Sequence, residues 1–428
     1  MNLLRKTERD GFEVSRAMYI IEALFEYLIY LLTSGAFLAK LTTTIGISDG
    51  MTAILSAITS LSGVFQIVSI YLAHKRPVKR WVIPMQVLTH CMLASLYLIP
   101  FVGFKSNPAM IFFTIIVTAK ALQSIASPIK VDWFLSLVAP HKRGSYTSVL
   151  QIVSVVGSTI FTLVMSSIID GFEQRNDMNG AFATITVMIA ILVVLTNLPL
   201  VFSKEKPLQT EKPSSPFASL SSLLQNKSYR YTVVTITLYA VATGITIPFI
   251  GTYQIKELGF SMTFIAALEA IVAFLRVGVL VLFGRLSKKR SHTWFLGLDF
   301  IVSIGLFASI MLANPATGMI AFSVYYATNA VRHSANAISQ NNLILEIVEP
   351  EERTCALAIS TIFTGVLGFL ATIAVTPLVE LIQENGLTVL GFEIYAQQAF
   401  AAISLLLVLA INVLWAVYYK KYSHRASS

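Results

Sequence analysis

The sequence predicts an all-α membrane protein of twelve transmembrane helices in two six-helix halves. Three observations carry that expectation: a strongly apolar composition, positive charge gathered on alternate loops, and loop motifs that occur twice. Hydrophobic residues make up 55% of the 428 residues and charged residues only 12%, against ~25% charged in soluble domains. A helix needs ~20 apolar residues to cross a bilayer, so each helix-plus-loop unit takes roughly 30–35 residues and the chain divides into about twelve.

The apolar runs place the spans at roughly 17–40, 49–72, 81–101, 109–138, 145–169, 181–202, 230–252, 261–284, 292–313, 317–346, 355–379 and 393–419. The opening "MNLLRKTERDGFEVSR" is charged and lacks the short apolar core of a cleaved signal, so the first span is expected to direct its own insertion. Cys91 and Cys355 fall in or beside apolar segments, with no spacing for a metal site or a disulfide framework.

The formal net charge of +9 is a topology signal rather than a nucleic-acid surface. On one side of these spans lie Arg5, Lys6, Arg9 and Arg16; Lys75, Arg76, Lys79 and Arg80; Lys142 and Arg143. The same side holds Lys204, Lys206, Lys212, Lys227, Arg230, Arg285, Lys288, Lys289, Arg290, Arg353, Lys420, Lys421 and Arg425. The other side holds only Lys40, Lys105, Arg175 and Lys256. The positive-inside rule then puts both termini in the cytoplasm.

The longest loop, "FSKEKPLQTEKPSSPFASLSSLLQNKSYR", is rich in Pro, Ser and Lys and reads as a flexible connector. It divides the chain into an N-terminal half (1–202), a linker (203–229) and a C-terminal half (230–428). The ends of the fourth and tenth spans share Val-x-Pro-x-x-Arg, as Val138, Pro140, Arg143 and as Val348, Pro350, Arg353. Basic loops also follow the second and eighth spans, with Leu72 opposite Leu286. Such matched positions mean an internal duplication, and six-plus-six parallel repeats place a substrate site near the midplane between the halves.

These motifs resemble the major facilitator superfamily over essentially the whole chain. Its Gly-x-Leu-Ala-Asp-Arg-x-Gly-Arg-Arg loop is degraded here to Leu72-Ala73-His74-Lys75-Arg76, and its repeat to Gly284-Arg285-Leu286-Ser287-Lys288. Both copies have lost the acid, although the Pro-x-x-Arg loops are kept. Lys120-Ala121-Leu122-Gln123-Ser124 is similar to the family's Arg-x-x-Gln-Gly of the fourth span. The Gly-Pro signature of drug/proton antiporters is absent from "SVVGSTIFTLV", where Gly157 has no proline. The resemblance implies that spans one, four, seven and ten line a central cavity. It also assigns Arg143, Arg285 and Arg353 to the gates of an alternating-access cycle, and Asp132, close to the cytoplasmic end of its span, is placed with them.

At ~100° per residue, Tyr325, Asn329, Arg332, His333, Asn336, Ser339 and Gln340 share one broad face of the tenth span. Tyr19, Glu22, Glu26, Tyr30 and Thr33 share a face of the first, Lys120, Gln123, Ser124 and Ser127 one of the fourth, and the seventh adds Tyr239, Thr243 and Tyr253. Arginine at the bilayer centre costs at least ~2.5–3.5 kcal/mol, and such groups face an interior or a watery path. The expected substrate-binding set is therefore Tyr30, Lys120, Gln123, Tyr239, Tyr325, Asn329, Arg332, His333, Asn336 and Gln340. Glu26 is the leading proton-coupling acid and Glu22 the second.

Structural readings compete at each position. Glu26 has the alternative of pairing with Lys120 or Arg332, and Glu269 with Arg276 that of an internal network. Lys130 lies with Asp132 near the cytoplasmic end, and Trp133 reads as a packing aromatic. His333 has the alternative of a hydrogen-bonded interior histidine, and the ninth span's Asp299 has no assigned place. No Gly-x-x-x-x-Gly-Lys-Ser/Thr loop or nucleophile elbow points to a pump or an enzyme. The expected function is secondary active transport of a sugar, glycoside or organic anion, driven by a proton or sodium ion. Proton-antiport efflux of an amphiphilic metabolite or drug is the alternative, with Tyr30, Phe322, Tyr325 and Tyr326 as an aromatic wall. No cofactor or metal is expected, the protein is read as a monomer in the bilayer, and compact loops suggest a bacterial cytoplasmic membrane.

Overall fold

The computed structural model describes residues 11–72, 77–102, 108–139, 143–205, 223, 225–287, 289–349, 352–389 and 391–422. Twelve helical spans account for nearly all of them. The first runs over Glu13–Leu32 and Gly35–Thr44, and the second over Asp49–Leu61, a 3₁₀ turn at Ser62–Phe65, and Gln66–Leu72. The third is Lys79–Ser95 with a 3₁₀ end at Leu96–Phe101, followed by Pro108–Ser136, Arg143–Gln174 and Met178–Phe202. The seventh starts as Lys227–Thr246 and tightens at Ile247–Phe249 around Pro248. It then widens to a π-turn at Tyr253–Glu257. Met262–Leu286, His292–Met311, Gly318–Ile347, Arg353–Asn385 and Ala396–Tyr422 complete the set.

Among the described residues, 10 helices are long and apolar enough to cross a membrane. The remaining two spans fall outside that set for different reasons. In the second the continuous apolar stretch is short, Asp49–Phe65, whereas in the tenth the amides, Arg332 and His333 lower the hydropathy of its 30 residues. Short polar side chains open several helices by accepting from backbone N–H groups that have no partner in the first turn. Ser48 accepts from Met51 N, Asp177 from Gly180 N, Asn226 from Ser228 N and Tyr229 N, Ser261 from Phe264 N, and Ser291 from Trp294 N.

The first two spans, expected to be continuous, are broken, and side-chain hydroxyls explain where. Thr33 Oγ1 donates to Ile29 O at 2.9 Å and Ser34 Oγ to Tyr30 O at 2.7 Å. Gly35 then takes φ +54, a conformation that costs glycine little. Hydroxyls that compete for helix carbonyls bend or end the helix. Tyr97 OH caps the break by donating to Leu32 O. In the second span Ser62 Oγ makes the corresponding bond to Thr59 O. A two-residue hairpin, Thr388–Val389 against Phe392–Glu393, links the last two spans and is the one strand pair described.

Packing divides the chain into two compact units, Met1–Ser34 with Phe65–Pro213, and Gly35–Val64 with Ser214–Ser428. In the first unit Tyr19 stacks on Phe134 at 4.2 Å between centroids, and Phe134 on Trp133. Trp133 is fully buried, with Nε1 donating to Lys204 O at 3.0 Å, which makes it a packing residue. In the second unit the tenth span lies against the eighth and ninth, and the seventh against the eleventh and twelfth. Spans seven and eleven approach so closely that a Cβ on Gly244 would fall well inside contact distance of the carbonyl oxygen of Gly368. Elsewhere, Val187, Ile191, Val194 and Leu198 form an exposed aliphatic stripe along the sixth span. Bare stripes of this kind suit lipid rather than water.

Candidate functional site

Each unit holds its own buried polar cluster. In the second unit a cavity of about 570 Å³ is walled by the seventh and tenth spans, with contributions from the end of the first and from the second, eighth and eleventh. Of the tenth-span face predicted from helical periodicity, Tyr325, Asn329, Arg332, His333, Asn336 and Gln340 line it, joined by Tyr239, whereas Ser339 is fully buried and does not. Thr52, Ser56, Ser60, Thr243, Gln254, Glu269 and Thr372 add further polar groups to the wall.

Arg332 is the centre of this wall. Its Nε donates to Asn329 Oδ1 at 3.1 Å, Nη1 to Tyr239 OH at 3.2 Å, and Nη2 contacts His333 Nε2 at 2.9 Å. A guanidinium has donors only. His333 must therefore accept at Nε2 and carry its proton on Nδ1, as a neutral ring. Tyr239 OH lies 2.5 Å from Ser303 Oγ, whose own proton goes to Asp299 O at 2.7 Å. Tyr239 accordingly donates to Ser303 while accepting from Arg332. Every direct partner of the guanidinium is neutral, and among the described residues no carboxylate forms an ion pair with it. The chain of bonds from Arg332 runs through Tyr239 and Ser303 to the backbone carbonyl of Asp299, whose carboxylate Oδ2 accepts from Asn336 Nδ2 at 3.0 Å; Asn336 Nδ2 also donates to Gln340 Oε1 at 2.9 Å. Asp299 is fully buried, so the acid left unplaced by the sequence is a support for the tenth-span amides.

In the first unit Lys130 bridges the two candidate acids. Its Nζ lies 2.7 Å from Glu22 Oε1 and 2.5 Å from Glu26 Oε2. Gln86 Nε2 also donates to Glu22 Oε1. Lys130 is 3% exposed, Glu22 0% and Glu26 21%, so Glu26 is the acid that a proton can reach. A small cleft lined by Glu26, Gln86, His90, Gln123 and Lys130 provides the opening. His90 accepts at Nδ1 from Asn197 Nδ2 at 3.4 Å. Two carboxylates around one ammonium leave a formal charge of minus one, which a single proton would cancel. Unpaired charge is costly in such a setting.

This arrangement corrects the expected partners. Glu26 pairs with Lys130, which the sequence placed with the gate. Lys120 instead lies over the Tyr30 ring, 4.6 Å from its centroid, and donates to Gln123 Oε1 at 3.1 Å. Tyr30, Lys120 and Gln123 thus form a small group beside the triad in the first unit, with Gln123 lining the same cleft as Glu26. Glu269 lines the cavity, and no ion pair with Arg276 occurs among the described residues. Of the gate residues, Asp132 and Arg285 are exposed near the ends of their helices. Arg143 and Arg353 open the fifth and eleventh spans, but their side chains lie outside the described residues, as do Pro140, Pro350 and His74 to Arg76. Sequence reasoning also passed over a cluster in the second unit, where Lys256 Nζ meets Asp49 Oδ1 at 2.5 Å and Gln383 Nε2 meets Asp49 Oδ2 at 2.7 Å. Its residues sit at span ends, where a charge carries no insertion cost and so gives no signal.

Residues 19–372 match the family model described as Major Facilitator Superfamily. Among solved structures, the chain is similar to the nucleoside transporter NupG, with a TM-score of 0.69, 15% identity, and 94% of this chain and 99% of that one covered. It is also similar to a D-xylose-proton symporter (TM-score 0.65, 18% identity, 94% and 97% covered). A bacterial homologue of the human lysosomal transporter Spinster, inward-facing and unoccupied, gives a TM-score of 0.64 at 13% identity, with 96% of each chain covered. A search of curated sequences finds no significant match.

Proposed function

The chain belongs to the major facilitator superfamily, and from that premise we propose that it is a proton-coupled importer of a small anionic or polyhydroxylated solute. A multi-pass membrane transporter, and not an enzyme, is what the family and the fold neighbours establish. The observation that carries the finer reading is Arg332, held on the cavity wall by three neutral partners with its charge uncommitted. A carboxylate or a sugar hydroxyl suits that guanidinium, and Asn336 and Gln340 are placed for further hydroxyls. Binding would be by alternating access between the proposed halves, 1–202 and 230–428. The names of two neighbours, a nucleoside transporter and a D-xylose-proton symporter, agree with a polar solute and with proton coupling.

Glu26 is proposed as the coupling acid, backed by Glu22, because it is the half-buried member of an otherwise buried triad with one negative charge in excess. Protonation of Glu26 would release half of Lys130's contacts. Gates at Asp132, Arg143, Arg285 and Arg353, cytoplasmic termini, residence in a bacterial cytoplasmic membrane and a monomeric state complete the proposal.

A thermal-shift panel of sugars, glycosides, sugar acids, organic acids, amino acids and amphiphilic drugs tests the solute class. A ligand at a hundredfold excess over its Kd stabilises the folded state by about 2.7 kcal/mol. Hits among sugars or anions that disappear in Arg332→Ala support the reading. Hits confined to amphiphilic cations would favour efflux, for which the paired rings of Tyr325 and Tyr326 on the cavity wall are the supporting feature. In proteoliposomes, Glu26→Gln should lose uptake driven by a pH gradient yet retain solute exchange. Intact proton-driven accumulation would remove Glu26 from coupling.

A further inference from the structure

We propose that the seventh and eleventh spans hold an anionic glycerophospholipid, with its phosphate on Arg230 and one acyl chain in the groove between the two helices. The groove has a volume of about 270 Å³. Val234 and Leu238 form one wall, Ile359, Phe363 and Leu367 the other, and Arg230 stands at one end. It is a different place from the solute cavity. Cavity residues Ile236 and Ala240 each lie two positions, and so about 200°, from groove residues Val234 and Leu238. The groove therefore opens on another face of the helix, where Val234, Leu238, Phe363 and Leu367 are all exposed.

Three features select the occupant. Eight residues separate Arg230 from Leu238, or about 12 Å at 1.5 Å per residue. That spans most of one leaflet, which is about half of a ~30 Å hydrocarbon core. Lys227 lies one turn from Arg230, both are exposed, and among the described residues neither has a carboxylate partner. Basic groups at the mouth of an apolar groove between membrane helices suit a phosphate headgroup. Finally, Thr237 also lines the groove, and its Oγ1 is buried with no hydrogen-bond partner among the described residues. A zwitterionic lipid would place a second positive charge beside Arg230 and Lys227, so the charge pattern favours a net anionic one. The proposal requires only that the chain spans a bilayer, and it is independent of what the transporter carries.

The test is native mass spectrometry of the full chain in detergent, titrated with phosphatidylglycerol or phosphatidylcholine of identical acyl chains. Each basic residue near an anionic headgroup contributes about 1 kcal/mol, so the wild type should prefer phosphatidylglycerol by roughly 5- to 25-fold. Arg230→Gln with Lys227→Gln should bring the two lipids level. Val234→Trp, which fills the groove from an exposed position, should weaken both. Unchanged thermal midpoints of the lipid-free variants would show that they remain folded. Equal binding of the two lipids by the wild type overturns the proposal, as does a preference that survives the double substitution or lipid binding unaffected by Val234→Trp. Displacement of phosphatidylglycerol by millimolar inorganic phosphate would put a free anion, not a lipid, on Arg230.

Discussion

Replacing Lys130 by Met gives the sharpest test of how the first unit is held together. Methionine is close in volume and one atom shorter, and it removes the ammonium that Glu22 and Glu26 share. Glu22 is wholly buried, and its Oε2 already has no hydrogen-bond partner among the described residues. It would then be an uncompensated charge, and breaking a buried pair in this way costs about 3–5 kcal/mol. For a cooperative unit of 150–250 residues each kcal/mol moves the midpoint by ~2–4 °C, which predicts a fall of roughly 6–20 °C. The control is the triple variant Lys130→Met, Glu22→Gln, Glu26→Gln, in which no charge of the triad remains. The amide introduced by Glu22→Gln keeps a carbonyl that can accept from Gln86, so most of the loss should be recovered. The assay is thermal unfolding of the purified variants in one detergent at neutral pH. A single variant that melts with the wild type would show that the triad is not a stabilising ion pair. A triple variant no better than the single would mean that Lys130 acts through its packing and not its charge.

Arg332→Gln should lower affinity for an anionic solute by about ten- to a hundredfold, the worth of a charge-assisted hydrogen bond, as read by calorimetry with a panel hit. An unchanged Kd would reassign Arg332 to holding Tyr239 and Asn329. Gly244→Val forces a side chain against the Gly368 carbonyl and should cost about 1–3 kcal/mol by overpacking; a neutral melting point would mean that spans seven and eleven part easily. Tyr97→Phe strips the hydroxyl from the broken end of the first span. It should cost about 1–3 kcal/mol and speed hydrogen exchange at residues 33–36, whereas unaltered exchange there would show that the break is capped by other means.

The spans were legible because each needs a long apolar run, and the polar face of the tenth was legible for the opposite reason. Arg332 and the amides around it violate the composition of a membrane helix, so they declare a site by their cost. The 100° period then collects them on one face, and that face lines the cavity. Partners were less legible. Lys120 and Lys130 both lie in the fourth span, and counting depth from its ends favoured Lys120 as the deeper cation. The count ignores how far a flexible four-carbon stem reaches and how neighbouring helices are registered, and it is Lys130 that meets Glu22 and Glu26. Asp299 was conspicuous as a lone acid in an apolar span, yet nothing local points to Asn336, a residue 37 positions away. The break after Leu32 did have a local signal, the Thr33-Ser34-Gly35 run, which hydropathy alone treats as continuous helix.

The close approach of Gly244 to Gly368 has a consequence for how this molecule can change over generations. Both glycines line the cavity at the point where two helices meet backbone to backbone. The bore at that level is consequently set by main-chain dimensions, while Asn329, Asn336 and Gln340 opposite are side chains that can be exchanged one at a time. Descendants of this chain can alter the chemical taste of the cavity by small substitutions along the tenth span. Its calibre is a shared inheritance of two helices, and widening it demands that both be refitted together.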